Sequence, residues 1–178
     1  NIAPADSDQT DKLRSTAVFL QDTVYLGDRW IVTGGVRYDS FDQVTGKGRP
    51  FRTNTHVNDR KAVPRLGVTF LLQPRWSVYT SYSKSFRPNT SIATAIGELP
   101  PEQGTAWEVG TKWVGENLTA TAALFHIDKS NVQTSVVVDG TYYTRVTGRP
   151  RSRGLELDLS GQMTSAVSIV GSFAHLGG

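Results

Sequence analysis

The sequence predicts an all-β fold, an antiparallel up-and-down array of about eight strands. Three observations carry that prediction. Apolar residues recur with period two, and helix-period segments are hard to find. Connections alternate between short turns and long polar segments. The clearest strands divide into an apolar face with aromatic ends and a face that carries charge.

Taken in order, the first strand runs from about Thr16 to Tyr25 with weak patterning. The second, Trp30 to Asp39, is the clearest: Trp30, Val32, Gly34, Val36 and Tyr38 oppose Ile31, Thr33, Gly35, Arg37 and Asp39. In the third, Pro64, Leu66, Val68, Phe70 and Leu72 oppose Arg65, Gly67 and Thr69. The fourth covers Trp76 to Phe86. The fifth sets Trp107, Val109, Thr111 and Trp113 against Glu108, Gly110 and Lys112. The sixth, Leu118 to Asp128, can be read with either face apolar. In the seventh, Leu155, Leu157 and Leu159 oppose Glu156, Asp158 and Ser160, and the eighth spans Val167 to His175.

The short connections, at residues 26–29, 73–75, 114–117 and 162–166, are rich in turn formers. Between them lie long polar segments: Ser40 to Ala62, Arg87 to Thr105 and Lys129 to Arg153. Within the last, Asp139-Gly140 sits between Val136-Val137-Val138 and Tyr142-Tyr143, a strong hairpin signal. It predicts that the sixth and seventh strands extend well past the main sheet. Short turns at one end and long loops at the other describe up-and-down hairpins, whereas Greek-key sandwiches break such alternation.

Composition narrows the function classes. The 178 residues carry 19 basic and 16 acidic side chains, a net charge of +3 with signs interspersed, which gives no nucleic-acid-binding run. The absence of cysteine excludes disulfides, thiolate metal sites and a cysteine nucleophile. The uncharged stretch Leu159 to Gly178 is too rich in serine, glycine and threonine for a membrane helix. Asn1 to Asp11 lacks the basic start and apolar run of a secretory signal.

Two readings of the faces follow. In a soluble sandwich the apolar face points inward; in an outer-membrane barrel it meets lipid and the charged face meets a polar lumen. Trp30 and Tyr38, like Trp107 and Trp113, then stand about 15 to 20 Å apart along the membrane normal, close to two aromatic girdles around an apolar band about 25 Å tall.

Several stretches resemble the barrel domain of TonB-dependent siderophore receptors, particularly the ferrichrome, or ferric-hydroxamate, type. They include residues 16–22, Thr33-Gly34-Gly35-Val36-Arg37-Tyr38-Asp39, Pro64-Arg65-Leu66-Gly67-Val68, residues 79–88, residues 99–112, residues 124–132 and residues 151–158. Their order and spacing cover nearly the whole chain. The resemblance implies a Gram-negative outer-membrane location, periplasmic short turns, and outer loops that capture a ferric siderophore. A family member looks like a barrel of about 22 strands around an amino-terminal plug. Residues 1–178 would be a portion of that barrel. The plug, its TonB contact and the C-terminal strands are expected to lie outside this segment.

A ferric chelate arrives with its own iron ligands, so a receptor needs aromatic and hydrogen-bonding surface at the barrel mouth. Phe86, Arg87, Tyr142 and Tyr143 are the candidates for ligand contact, with Tyr79 a weaker one; alternatively the aromatics pack the hairpin and Arg87 caps a loop. Arg37, Asp39, Arg65, Glu108, Lys112, Glu156 and Asp158 would face the lumen and meet the plug or one another. His126 and Asp128 could offer two metal ligands but no third, so neither a resident metal nor any other cofactor is expected. No catalytic constellation is found, and the chain is not expected to be an enzyme. Expected partners are a ferric siderophore, outer-membrane lipid and, through the plug, the TonB complex. Two alternatives are a complete eight-stranded outer-membrane barrel with a structural or adhesive role, in which the first and last strands pair, and a soluble carbohydrate-binding β-sandwich.

Overall fold

The computed structural model describes residues 8–91, 94–96 and 99–177. Most of the segment read for a leader, and the terminal Gly178, lie outside the described residues. Among the described residues eleven strands follow in chain order: β1 (Gln9–Leu26), β2 (Trp30–Lys47), β3 (Arg52–Gln73), β4 (Trp76–Arg87), β5 (Thr94–Ala95), β6 (Glu102–Val114), β7 (Leu118–Ser130), β8 (Gln133–Val138), β9 (Thr141–Val146), β10 (Arg151–Thr164) and β11 (Val167–Gly177). Eight of them form one antiparallel sheet in the order β1-β2-β3-β4-β6-β7-β10-β11. β1 and β11 each hold an edge of this sheet and do not pair with each other, against the alternative of a closed eight-stranded barrel.

The register carries one face unbroken across all eight strands. Val24, Val32, Val68, Thr80, Val109, Leu124, Leu155 and His175 are successive ladder partners. Toward the short turns, Leu26, Trp30 and Phe70 are partners, and Trp76 stands opposite Trp113. Toward the long connections, Tyr82, Trp107 and His126 are partners. The aromatic neighbours touch, with ring centroids 4.5 Å apart for Trp30 and Phe70 and 4.4 Å for Tyr82 and Trp107.

This apolar face is uncovered. Val109 is 53% exposed and Leu124 56%. Among the described residues the buried hydrophobics are only Phe41, Leu99 and Ala123. A water-soluble sandwich hides its aliphatic side chains between two sheets; here they cover the outside, which leaves the soluble alternative without a core. One antiparallel sheet with an uncovered apolar face has the arrangement of a barrel wall, whose apolar side suits lipid.

Two sequence expectations need correction. The segment Ser40 to Ala62, expected to be a long loop, is mostly strand: β2 and β3 stay paired up to Lys47 and Arg52. Period-two hydrophobicity ends near Tyr38 because both faces are polar beyond the apolar band, yet the ladder needs no apolar residue to continue. The hairpin around Asp139-Gly140 forms as expected, with positive φ at both residues. It does not extend the sixth and seventh strands, however. Asn131, at φ 58°, ends the ladder after β7, and β8 and β9 turn aside into a second sheet of order β5-β9-β8.

If lipid covers the apolar face, Val109→Arg in the full-length protein should destabilise the barrel in bilayers by about 2–4 kcal/mol, whereas Ser81→Arg, on the opposite face of the neighbouring strand, should cost far less. Urea unfolding in vesicles, followed by loss of heat-modifiable gel migration, measures both; equal costs would contradict the assignment of faces.

Candidate functional site

The pairing register puts Arg37, Asp39, Arg65, Glu108, Lys112, Glu156 and Asp158 on the face opposite the apolar one. Arg37 reaches along its own strand to Asp39, donating from Nε and Nη2 at 2.8–3.0 Å, and Asp39 is buried. Arg65 donates to Gln21 on β1. Further toward the short turns, Tyr79 donates to Glu108 Oε1 at 2.7 Å, and Ser172 to Asp158 Oδ1 at 2.6 Å. Gly110 makes the first of these possible, because a Cβ there would stand 2.6 Å from the Tyr79 hydroxyl.

At the outer end the wall opens. β3 and β4 pair only as far as Arg65 and Ser83, and above that point the two strands part. Phe86 fills the gap by stacking on buried Phe41, with ring centroids 5.4 Å apart. A depression of about 320 Å³ remains, bordered by Arg37, Asp39, Phe41, Lys84, Phe86 and Arg87 among others. Phe86 and Arg87, inferred separately from Arg37 and Asp39, thus share one hollow with them. Tyr142 and Tyr143 are not among its lining residues; they stand on β9, paired with Val137 and Val136 of β8, and Tyr142 is 69% exposed.

Arg87 is also held from below. Its Nη2 lies 2.9 Å from Glu102 Oε2, and Lys129 Nζ lies 3.1 Å from Glu102 Oε1. The Glu102 side chain is only 10% exposed. The hydrogen bond from Lys129 and the positive charges of Arg87 and Lys129 hold its carboxyl below the usual carboxylate range, against burial that pushes it up.

A polar junction missed by the sequence reading ties the outer segments together. Asn89 is 1% exposed, and its Nδ2 donates to the carbonyls of Pro100 and Asn131, each at 2.7 Å. Asn131 Nδ2 donates to the Pro101 carbonyl at 2.9 Å. The Ser91 carbonyl accepts from Thr45 and Thr55, each at 3.2 Å, and the Ser91 and Thr144 hydroxyls bond at 2.6 Å. The β2–β3 tip, the segment after β4 and the β8–β9 sheet therefore meet on buried polar atoms. The only available signal was the run Asn89-Thr90-Ser91 between Pro88 and Pro100-Pro101, which reads equally well as loop composition.

His126 and Asp128 contact each other at 2.9 Å, and Asp128 also accepts from Arg151 at 2.8 Å. No group of three or more histidine, cysteine, aspartate or glutamate side chains able to hold a metal gathers among the described residues.

A family model described as TonB dependent receptor-like, beta-barrel, matches residues 1–177. A TonB-dependent receptor of Haemophilus influenzae is 38% identical over 171 residues, covering 94% of this chain and 50% of the relative. The ferrichrome outer membrane transporter/phage receptor of Escherichia coli K12 is 30% identical over 169 residues, covering 93% of this chain and 22% of the relative. The solved siderophore receptor PiuA of Acinetobacter baumannii superposes with a TM-score of 0.81 at 27% identity, over 96% of this chain and 26% of that one. The chain thus spans half or less of the length of each.

Since the Glu102 carboxyl is lowered in the folded state, its contribution is complete above the ordinary carboxylate range and is lost as pH falls through the lowered value. Protease cleavage within residues 88–101 of the full-length receptor should therefore rise on acidification, and Glu102→Gln should cleave readily at neutral pH with a flatter pH profile. Asn89→Ala, which leaves two carbonyls without their donor, should open the same segment at every pH, at a cost of about 1–3 kcal/mol. Cleavage unchanged in both variants would show that the junction does not hold the loop.

Proposed function

The chain belongs to the TonB-dependent receptor family, and from that premise we propose that it forms part of the barrel of an outer-membrane importer of a ferric siderophore. Receptors of this family are outer-membrane β-barrels, and the uncovered apolar face of this sheet suits that setting. The open edges at β1 and β11 accept further strands of the same barrel, in line with the share of its relatives that the chain spans. A plug inside that barrel would meet the polar face and supply the contact with TonB.

The observation that carries the reading is the outer-end hollow. Aromatic area from Phe86 and donors from Arg87, Arg37 and Lys84 converge there, at the outer end of the polar face. Such a surface grips a bulky chelate by its ligand shell and leaves the iron with its chelator. The relative that carries ferrichrome favours a hydroxamate-type chelate. Tyr142 and Tyr143, on the second sheet, serve as a separate contact reached from outside. The role is binding and transport, without catalysis.

Arg87→Ala and the pair Tyr142→Ala/Tyr143→Ala, each in the full-length receptor, should weaken uptake of radiolabelled ferric siderophore while heat-modifiable migration stays normal. Normal uptake in either variant would remove those residues from the binding surface.

A further inference from the structure

A second concavity lies on the opposite face, near the short turns. There β7 runs low between its neighbours, because its outward residues are Ala120 and Ala122, while β6 presents Trp113 and Thr111 on one side and β10 presents Leu157 and Leu159 on the other. On β11 the outward position beside Leu159 is Gly171, where a Cβ would meet nothing within 4 Å. The result is a groove of about 710 Å³, within the range of clefts that hold small ligands, bordered by Trp76, Trp113, Leu157, Leu159 and Phe173 among others.

We propose that this groove binds one acyl chain of a glycerophospholipid in the periplasmic leaflet. This rests on the outer-membrane reading above. Two observations choose the occupant. The walls are apolar, with Trp76 and Trp113 at the turn end, the place an aromatic girdle takes in an outer-membrane barrel. At the turn end stands a cation suited to a phosphate: Arg75 precedes Trp76, its carbonyl accepts from the Val114 amide at 2.8 Å, and its guanidinium is mostly exposed, 3.2 Å from Glu116. The chain lies along β7 with its headgroup at Arg75. Lipid A belongs to the opposite leaflet, beyond the Tyr82–Trp107 end.

The test uses the full-length receptor in vesicles of phosphatidylethanolamine and phosphatidylglycerol, with a fraction of the phosphatidylethanolamine carrying a photoreactive acyl chain; cross-links are mapped by mass spectrometry. Adducts should concentrate on β7, β10 and β11 around the groove, well above those at the outward control residues Val32 and Val68. The double variant Ala122→Leu/Gly171→Leu, which fills the groove with side chains that belong on a lipid face, should lower groove labelling about tenfold, as expected when roughly two methylene contacts are lost. Arg75→Ala should lower it less. Heat-modifiable migration confirms folding of each variant. Even labelling of all outward positions, or unchanged groove labelling in the double variant, would overturn this proposal and leave the barrel reading intact. No labelling anywhere on the apolar face would overturn both.

Discussion

Inside hydrocarbon a backbone amide has no water to turn to, so each N–H and C=O must find its partner within the protein. The eight-strand antiparallel ladder meets that requirement for the strands between its edges, while the outer sides of β1 and β11 are left for further strands. Continuous pairing fixes the register, and the register keeps one face largely apolar from β1 to β11, although Asp22 of β1 also falls on it. The tight connections between β1 and β2, β3 and β4, β6 and β7, and β10 and β11 keep consecutive strands adjacent. A wall built this way has almost no hydrophobic interior: the described chain buries more polar residues than apolar ones.

The buried polar groups cluster where the ladder ends. Above the apolar band the strands need no longer stay in one sheet, and β3 leaves β4. Asn89, Ser91, Thr45, Thr55 and Thr144 then do for the outer segments what apolar packing does in a soluble domain. Hydrogen bonds suit this place because they are directional, and leaving one buried partner unmatched costs more than the bond contributes. They tie the segment after β4 and the β8–β9 sheet to the tip of β2 and β3.

How much of this the sequence disclosed depended on what shaped each residue. The strands with the clearest alternation, such as Trp30 to Asp39, were legible because an apolar face on one side and a polar face on the other impose period two. Where both sides are polar, that imprint vanishes, and so the outer halves of β2 and β3 read as loop. The Asp139-Gly140 turn was legible from local backbone chemistry, while the detachment of its hairpin was not, since it depends on Asn131 and on pairing with the distant β5. Phe86 and Arg87 were singled out by their place at a strand end, and both border the outer-end hollow. Asn89 and Glu102 were missed because their partners lie far away in sequence, at Asn131 and Lys129.

The central claim is that one face of this sheet meets lipid and the other a polar lumen. Single-cysteine spin labelling along β6 of the full-length receptor in bilayers, from Trp107 to Trp113, tests it, and these 178 residues contribute no cysteine of their own. Collision with oxygen and with a water-soluble nickel chelate should alternate residue by residue: oxygen should dominate at 107, 109, 111 and 113, and nickel at 108, 110 and 112. Accessibility that changes smoothly along the strand, or alternates in the opposite phase, would contradict the account.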